Sequence, residues 1–271
     1  MTGEFAQIAR LRSRFPLTGD DCAVVPSPEG SGWWLLAADA LVAGVHGDPA
    51  VIGLDGLAWR AVVANVSDVA AMGGRPRWLL ATVAIPSGID VDPLFDGLAA
   101  AAASYDCEVA GGDLTSTSGP LVLSISIVGA VAQDPPPVRR SGARPDDALY
   151  VTGPLGRGAA SKWRDRPAAR VAEGEAARLA GATAMIDVSD GLSADVGHLA
   201  DESRVGVELD AVPIADGATV EDALHGGEDF ELIIAGPPGL PFISIGRCVA
   251  DPSVRTLAGA PLPPGGWEHR W

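Results

Sequence analysis

Asp187-Val188-Ser189-Asp190-Gly191-Leu192 is the stretch on which the fold turns. It follows Met185–Val188, a short apolar run that reads as a strand. It opens a run from about Leu192 to Ser203 that reads as a helix. Ser189 or Asp190 suits an ordinary helix N-cap, and that explains one of the three polar residues. Asp187 is left over at a strand end, where α/β proteins place ligand groups.

Further aspartates sit in similar glycine-dotted settings along the chain, in Gly19-Asp20-Asp21, Ala38-Asp39, Asn65-Val66-Ser67-Asp68 and Gly111-Gly112-Asp113. Most adjoin apolar runs rather than solvated charge runs. A carboxylate beside a buried element needs a partner, because desolvating an unpaired charge is costly. Lys162 is the only lysine, beside eighteen arginines. A divalent cation is an economical alternative, since magnesium prefers oxygen ligands and brings phosphates with it. Asn65 and Asp68 are three apart and share a helix face, turned to a polar cleft or to a structural partner such as an arginine. Gly226-Gly227-Glu228-Asp229 reads equally as a site or as a tight turn before a strand.

The elements alternate. Trp33–Ala38 reads as a buried strand ending at Asp39, and Leu54–Met72 as a long helix stopped by Gly73-Gly74. Trp78–Ile85 and Leu121–Val131 read as strands, Asp92–Ser104 as a helix, and Cys107–Ala110 as a short strand leading into Gly111-Gly112-Asp113. Gln133–Pro137 is the best linker candidate. Beyond it, Ala148–Thr152, Val205–Leu209, Phe230–Ala235 and Phe242–Val249 read as strands and Ala168–Leu179 as a helix. The expectation is an α/β (α+β) protein of two domains, 1–134 and 135–271, meeting at a cleft.

Composition narrows the function. The 271 residues are 47% hydrophobic, enough for a substantial core. A formal charge of −16 and a pI near 4.5 argue against nucleic-acid binding and against docking to anionic membranes. No apolar run reaches the roughly 20 residues of a spanning segment. Cys22, Cys107 and Cys248 are dispersed and read as reduced core residues of a cytoplasmic protein. No Gly-Lys-Ser/Thr loop, GxGxxG turn or GxSxG elbow is present, so any nucleotide must be held another way.

Taken together, GDDCAVV (19–25), ADALVAGVH (38–46), NVSDVAAMGG (65–74), GGDLT (111–115), RSGARPDDALYVTG (140–153), DVSDGLSADVGHLA (187–200) and HGGEDFEL (225–232) resemble the thiamine-monophosphate kinase family. That family belongs to the aminoimidazole-ribonucleotide synthetase-like superfamily. Order and approximate spacing hold from Gly3-Glu4-Phe5 to Gly266-Trp267-Glu268-His269. The resemblance implies the superfamily's two-domain fold, with N-terminal sheet domains pairing in a homodimer and ATP lying across dimer-related surfaces. It implies ATP-dependent conversion of thiamine monophosphate to thiamine diphosphate. Asp21, Asp39, Asp68, Asp113, Asp187 and Asp190 match magnesium ligands. Gly112, Asp113, Arg140 and Ser189 match ATP positions, and His46, Glu228 and Trp267 match positions around the acceptor. No covalent or acid–base catalytic residue is implied.

Two departures stand out. Ala37 and Ala38 replace a Ser/Thr pair before Asp39, and no arginine follows Asp113 in Asp113-Leu114-Thr115-Ser116-Thr117. They keep open a paralogue with another phosphorylated acceptor, or a nucleotide-binding homologue without turnover. A selenophosphate-synthesising relative lacks its expected N-terminal cysteine here. The hydrogenase-maturation relative would need a C-terminal cysteine where Trp271 stands.

Overall fold

A computed structural model describes residues 4–28 and 30–268. Gly3, His269 and Trp271 lie outside the described residues. The first part of the chain runs α1 Glu4–Arg12, β1 Ala23–Pro26, β2 Gly32–Val42, α2 Pro49–Ala71, β3 Arg75–Pro86, α3 Asp92–Ser104, β4 Glu108–Thr117 and β5 Val122–Ala132. It continues β6 Ala148–Val151, α4 Arg157–Ala160, α5 Val171–Leu179, β7 Ala184–Asp187, α6 Leu192–Ser203, β8 Gly206–Leu209, α7 Val220–His225, β9 Leu232–Gly236, β10 Ile243–Val249, β11 Arg255–Leu257 and β12 Ala260–Pro261.

Five strands form one sheet in the order β1-β2-β5-β3-β4, and seven form a second in the order β12-β11-β8-β10-β6-β9-β7. The fold is the mixed α/β type expected. In the first sheet β5 is antiparallel to β2 and β3, while β4 joins the edge parallel to β3. Alternate residues Leu123, Ile125 and Ile127 of β5 are buried among α2 and α3 residues such as Leu57, Val62 and Leu94. The opposite face is open, with Leu36, Trp78 and Leu80 at 38%, 39% and 49% exposure.

α2 is the organising element. Asp48 caps it by accepting a hydrogen bond from Ala50 N at 2.9 Å, and Pro49 pre-sets its first turn. Its 23 residues, kinked at non-helical Gly53 (φ 75°, ψ 166°), pass by length and mean hydropathy, 1.2, for a helix able to cross a membrane. Here its apolar surface is consumed by both sheets. Leu57, Val62 and Val69 join the core of the first sheet, and Ala71 joins Met185, Leu232 and Ile234 of the second. Gly174 of α5 permits the closest approach, since a Cβ there would lie 2.1 Å from Ala70 O. Buried Arg178 adds hydrogen bonds to Gly73 O at 2.9 Å and to Pro135 O at 2.5 Å.

Two elements differ from expectation in ways that matter for the site. β2 runs past Asp39 to Val42, because an unbroken antiparallel ladder with β5 extends from Gly32 to Val42. Asp39 is therefore mid-strand, not at a strand end. β4 continues through Gly111-Gly112-Asp113, which pair with Leu80, Ala81 and Thr82 of β3. The glycines are ladder residues, and a Cβ at Gly112 would meet Ala81 O at 1.8 Å. α1, β1 and α7 were not legible in the sequence; α7 is a six-residue helix set by a Thr219–Asp222 capping box.

Candidate active site

β7 ends at Asp187, which is 2% exposed, on the edge of the second sheet nearest α2. Ser67 of α2 donates its hydroxyl to Asp187 Oδ2 at 2.6 Å, so the two halves of the molecule meet on this carboxylate. Asp68 follows on the same helix. Asp21 arrives from the segment preceding β1 and is 8% exposed. One oxygen from each of Asp21, Asp68 and Asp187 lies within 4.8 Å of the other two. Asp39 joins from β2, its backbone N donating to Asn65 Oδ1 at 3.2 Å. Its carboxyl and that of Asp68 line the same cavity and act on each other's charge. Asn65 is fully buried and also donates to Ala61 O at 2.9 Å, so it is a strut for Asp39.

At an effective dielectric near 20, two carboxylates this close repel by roughly 3 kcal/mol. Protons or a cation must relieve that. Burial first, then the charge of Asp39, holds Asp68 well above the usual carboxylate range. Burial and then Asp21 push Asp187 up to about 7. Asp39 is raised by the same two causes although it keeps a solvent-facing edge, and Asp20 rises to about 6. Arg140 is the cation at hand, donating to Asp21 Oδ1 through Nη2 at 2.6 Å and Nε at 3.1 Å. Burial works against its charge, but Asp21 prevails and its pKa is raised. Asp21 Oδ2 is buried without a hydrogen-bond partner among the described residues. An orphaned carboxylate oxygen beside protonatable carboxyls is a donor set that fits a hard divalent cation.

The β7–α6 turn is tightly held. Asp195 Oδ2 accepts from Asp190 N at 3.1 Å and Gly191 N at 3.0 Å. Glu228 N donates to Ser189 O at 2.8 Å, and Trp267 N to Asp190 O at 3.0 Å. These contacts draw the turn, the 226–230 segment and the tail around one cavity of about 650 Å³. Asp39, Asp68, Asp187 and Asp190 line it, together with Arg140, Ser189, His46, Glu228 and Trp267. His46 Nδ1 accepts from Val42 N at 3.0 Å, so a neutral ring carries its proton on Nε2. Glu228 is ion-paired to Arg60 at 2.7 Å.

Gly112 and Asp113 lie elsewhere, on exposed β4, two strands beyond β5 from the Asp39 strand, and do not line the cavity. Sequence reasoning missed Arg60, Lys162 and Trp163, which do line it. Arg60 carried a readable signal: with Ala64 and Asp68 it forms an i, i+4, i+8 stripe on α2. Lys162 was visible only as the sole lysine.

The two sheets and the carboxylate cavity between them define a class, and comparison gives it the same name. Residues 19–131 match the model of AIR synthase related protein, N-terminal domain. The chain is 35% identical over 274 residues to thiamine-monophosphate kinase of Methanospirillum hungatei, covering 93% of each chain. It is 35% identical over 302 residues to that of Salmonella typhimurium, covering 92% of this chain and 91% of the relative. Among solved structures, AaThiL complexed with AMPPCP and TMP superimposes with a TM-score of 0.88 at 31% identity, covering 99% of this chain and 97% of that one. The chain belongs to the thiamine-monophosphate kinase family.

Proposed function

We propose that this chain transfers the γ-phosphoryl group of ATP to thiamine monophosphate, giving thiamine diphosphate and ADP. One observation carries the reading: Asp21, Asp68 and Asp187, far apart in sequence, bring carboxylate oxygens within 4.8 Å of one another, and Asp68 and Asp187 line one cavity with Asp39, Arg60, Glu228 and Trp267. The chemistry needs little else. The acceptor's nucleophile is a phosphate oxygen, largely ionised at neutral pH because a phosphomonoester's second pKa is about 6. No general base or covalent nucleophile is required, only two polyanions brought together in line.

Asp21, Asp39, Asp68, Asp187 and Asp190 would hold magnesium. When bound, it neutralises phosphate charge and stabilises the transferring group. Ser67 fixes the Asp187 carboxylate and Asn65 sets the strand position of Asp39. Asp195 shapes the turn that presents Ser189 and Asp190. Arg140 and Ser189 are assigned to ATP, and His46, Glu228 and Trp267 to the acceptor. Lost hydroxyls at Ala37 and Ala38 leave every one of these carboxylates in place.

The active unit in this reading is a homodimer. Support comes from the open face of the five-stranded sheet, where Trp34 and Trp78 pack with ring centroids 5.6 Å apart beside exposed Leu36 and Leu80. Contiguous apolar surface of this kind marks an interaction face. β4, which carries Gly112 and Asp113, borders it, so pairing offers a route by which these residues reach a shared nucleotide site. Three buried free thiols suit a reducing, cytoplasmic setting. The test is ADP release with and without thiamine monophosphate. Release only with that acceptor supports the assignment; release with another phosphomonoester alone, or none at all, overturns it.

A further inference from the structure

Residues 157–166 fall outside every motif that carries the family resemblance, yet two of them, Lys162 and Trp163, line the cavity. α4 ends at Ala160 and the chain doubles back. Lys162 N donates to Ala159 O and Trp163 N to Gly158 O, each at 2.8 Å. Lys162 and Trp163 both take left-handed backbone angles, φ 54° and 55°. Bulky residues seldom adopt that region, and such strain persists only where the surroundings over-determine it.

Arg60 is what over-determines it. The side chain is 3% exposed. Its Nη2 donates to Trp163 O at 2.6 Å and Asp165 O at 3.2 Å, while Nη1 donates to Glu228 Oε2 at 2.7 Å. One fork thus ties the 163–165 backbone to Glu228, which is assigned above to the acceptor. The segment is fastened again by Arg166, which pairs with Asp55 at 2.5 Å and sits 5.0 Å over the Trp59 ring. What this latch presents to the cavity is the only lysine of a chain with charge −16, and an indole left 39% exposed. Among the described residues Lys162 has no ion-pair partner. Arg60 and Asp68 are eight residues apart on α2, about 12 Å at roughly 1.5 Å per residue. The floor between them is Ala64, small enough to let a flat ligand lie along the helix.

We propose that Lys162 and Trp163 form the recognition wall for the phosphorylated acceptor, and that Arg60 is the positioning residue that holds this wall in place. The inference rests on the reading that the acceptor is a phosphomonoester with a flat cationic ring. Trp163 offers a π-face to that ring, and Lys162 donates to its phosphate oxygens. Fixing both in advance lowers the ordering cost of binding.

Two experiments on the full chain decide it. In steady-state kinetics, Trp163→Ala and Lys162→Met alter exposed side chains and leave the fold intact. Each is expected to raise the KM for thiamine monophosphate by about tenfold or more while KM for ATP and Tm stay unchanged. Acceptor KM within about twofold of wild type in both variants overturns the recognition role. In limited trypsin digestion, Arg60→Met is expected to speed cleavage after Arg164 by about tenfold, because the latched segment opens more often. Should that variant not fold, Arg60→Lys keeps a charge for Glu228 but not the fork, and gives the same comparison. Unchanged cleavage in a folded variant overturns the positioning role. If the wild type does not turn over thiamine monophosphate, the functional reading fails by itself. Protection of Arg164 by that ligand, lost in Trp163→Ala, then still supports the wall, and equal protection in both proteins sinks it.

Discussion

Asp68 and Asp187 show why single carboxylates decide this molecule. Each is surrounded by protein and by other acids, and neither has a cation of its own among the described residues. Asp68→Asn keeps shape and removes charge. Turnover is expected to fall by at least about a hundredfold, with an unaltered circular dichroism spectrum; undiminished turnover would refute a ligand role for Asp68. The same acids make stability depend on pH in chelator-treated protein. Asp187 near 7 and Asp20 near 6 bind protons more tightly folded than unfolded, where an aspartate titrates at about 3.9. Their contribution is complete below about pH 4 and drains away as pH rises through 6 to 7. The Tm in chelator should therefore fall between pH 5 and 8, and magnesium at pH 8 should restore it. A flat profile in chelator argues that these acids find partners the structure does not show. The four convergent aspartates were legible because each sits in a short polar break within an apolar run. Arg60 left only its stripe with Ala64 and Asp68 to read, because a lone arginine in an apolar helix suits a core ion pair equally well until the fold shows what it clasps.

At the level of elements, the contact of α5 with α2 depends on the absence of one side chain. Gly174→Ala places a methyl 2.1 Å from Ala70 O, so a backbone must shift. Overpacking of this sort should cost about 2 kcal/mol, seen as a Tm lower by roughly 5 °C; an unchanged Tm would mean the helices separate freely. The tail is a second such element. Gly265 lies against the His225 ring, and Trp267 N ties the tail to Asp190 O. Trp267, 51% exposed, reaches the cavity from there. Trp267→Ala should raise acceptor KM by about tenfold and leave the KM for ATP alone. A lower Tm with unchanged kinetics would show instead that the indole covers a core edge. Helix α2 was readable from its apolar run and the Gly73-Gly74 stop. The extensions of β2 and β4 were not, because ladder partners that keep a glycine pair or an aspartate inside a strand come from distant sequence.

For the whole molecule, the open sheet face carries the clearest expectation. Leu80→Glu puts a charge at the centre of an apolar surface while its side chain is 49% exposed in the single chain. Light scattering should report a shift from dimer to monomer, with ADP release reduced and Tm of the monomer retained. A wild-type monomer at working concentration would remove pairing from the reading. The presence of two sheets was foreseeable from the alternation of elements around the proline run at 135–137. Their mutual placement was not, since it depends on which side chains α2 offers to each.

That helix belongs to both cores at once, through Val62 and Val69 on one side and Ala71 on the other. The halves therefore cannot swing like jaws without tearing apolar contacts from each. Capture of ligand must be a matter of local tightening around a stiff frame. Small-angle scattering should record the same radius with and without nucleotide, while amide exchange slows only in the 158–166 and 262–268 segments.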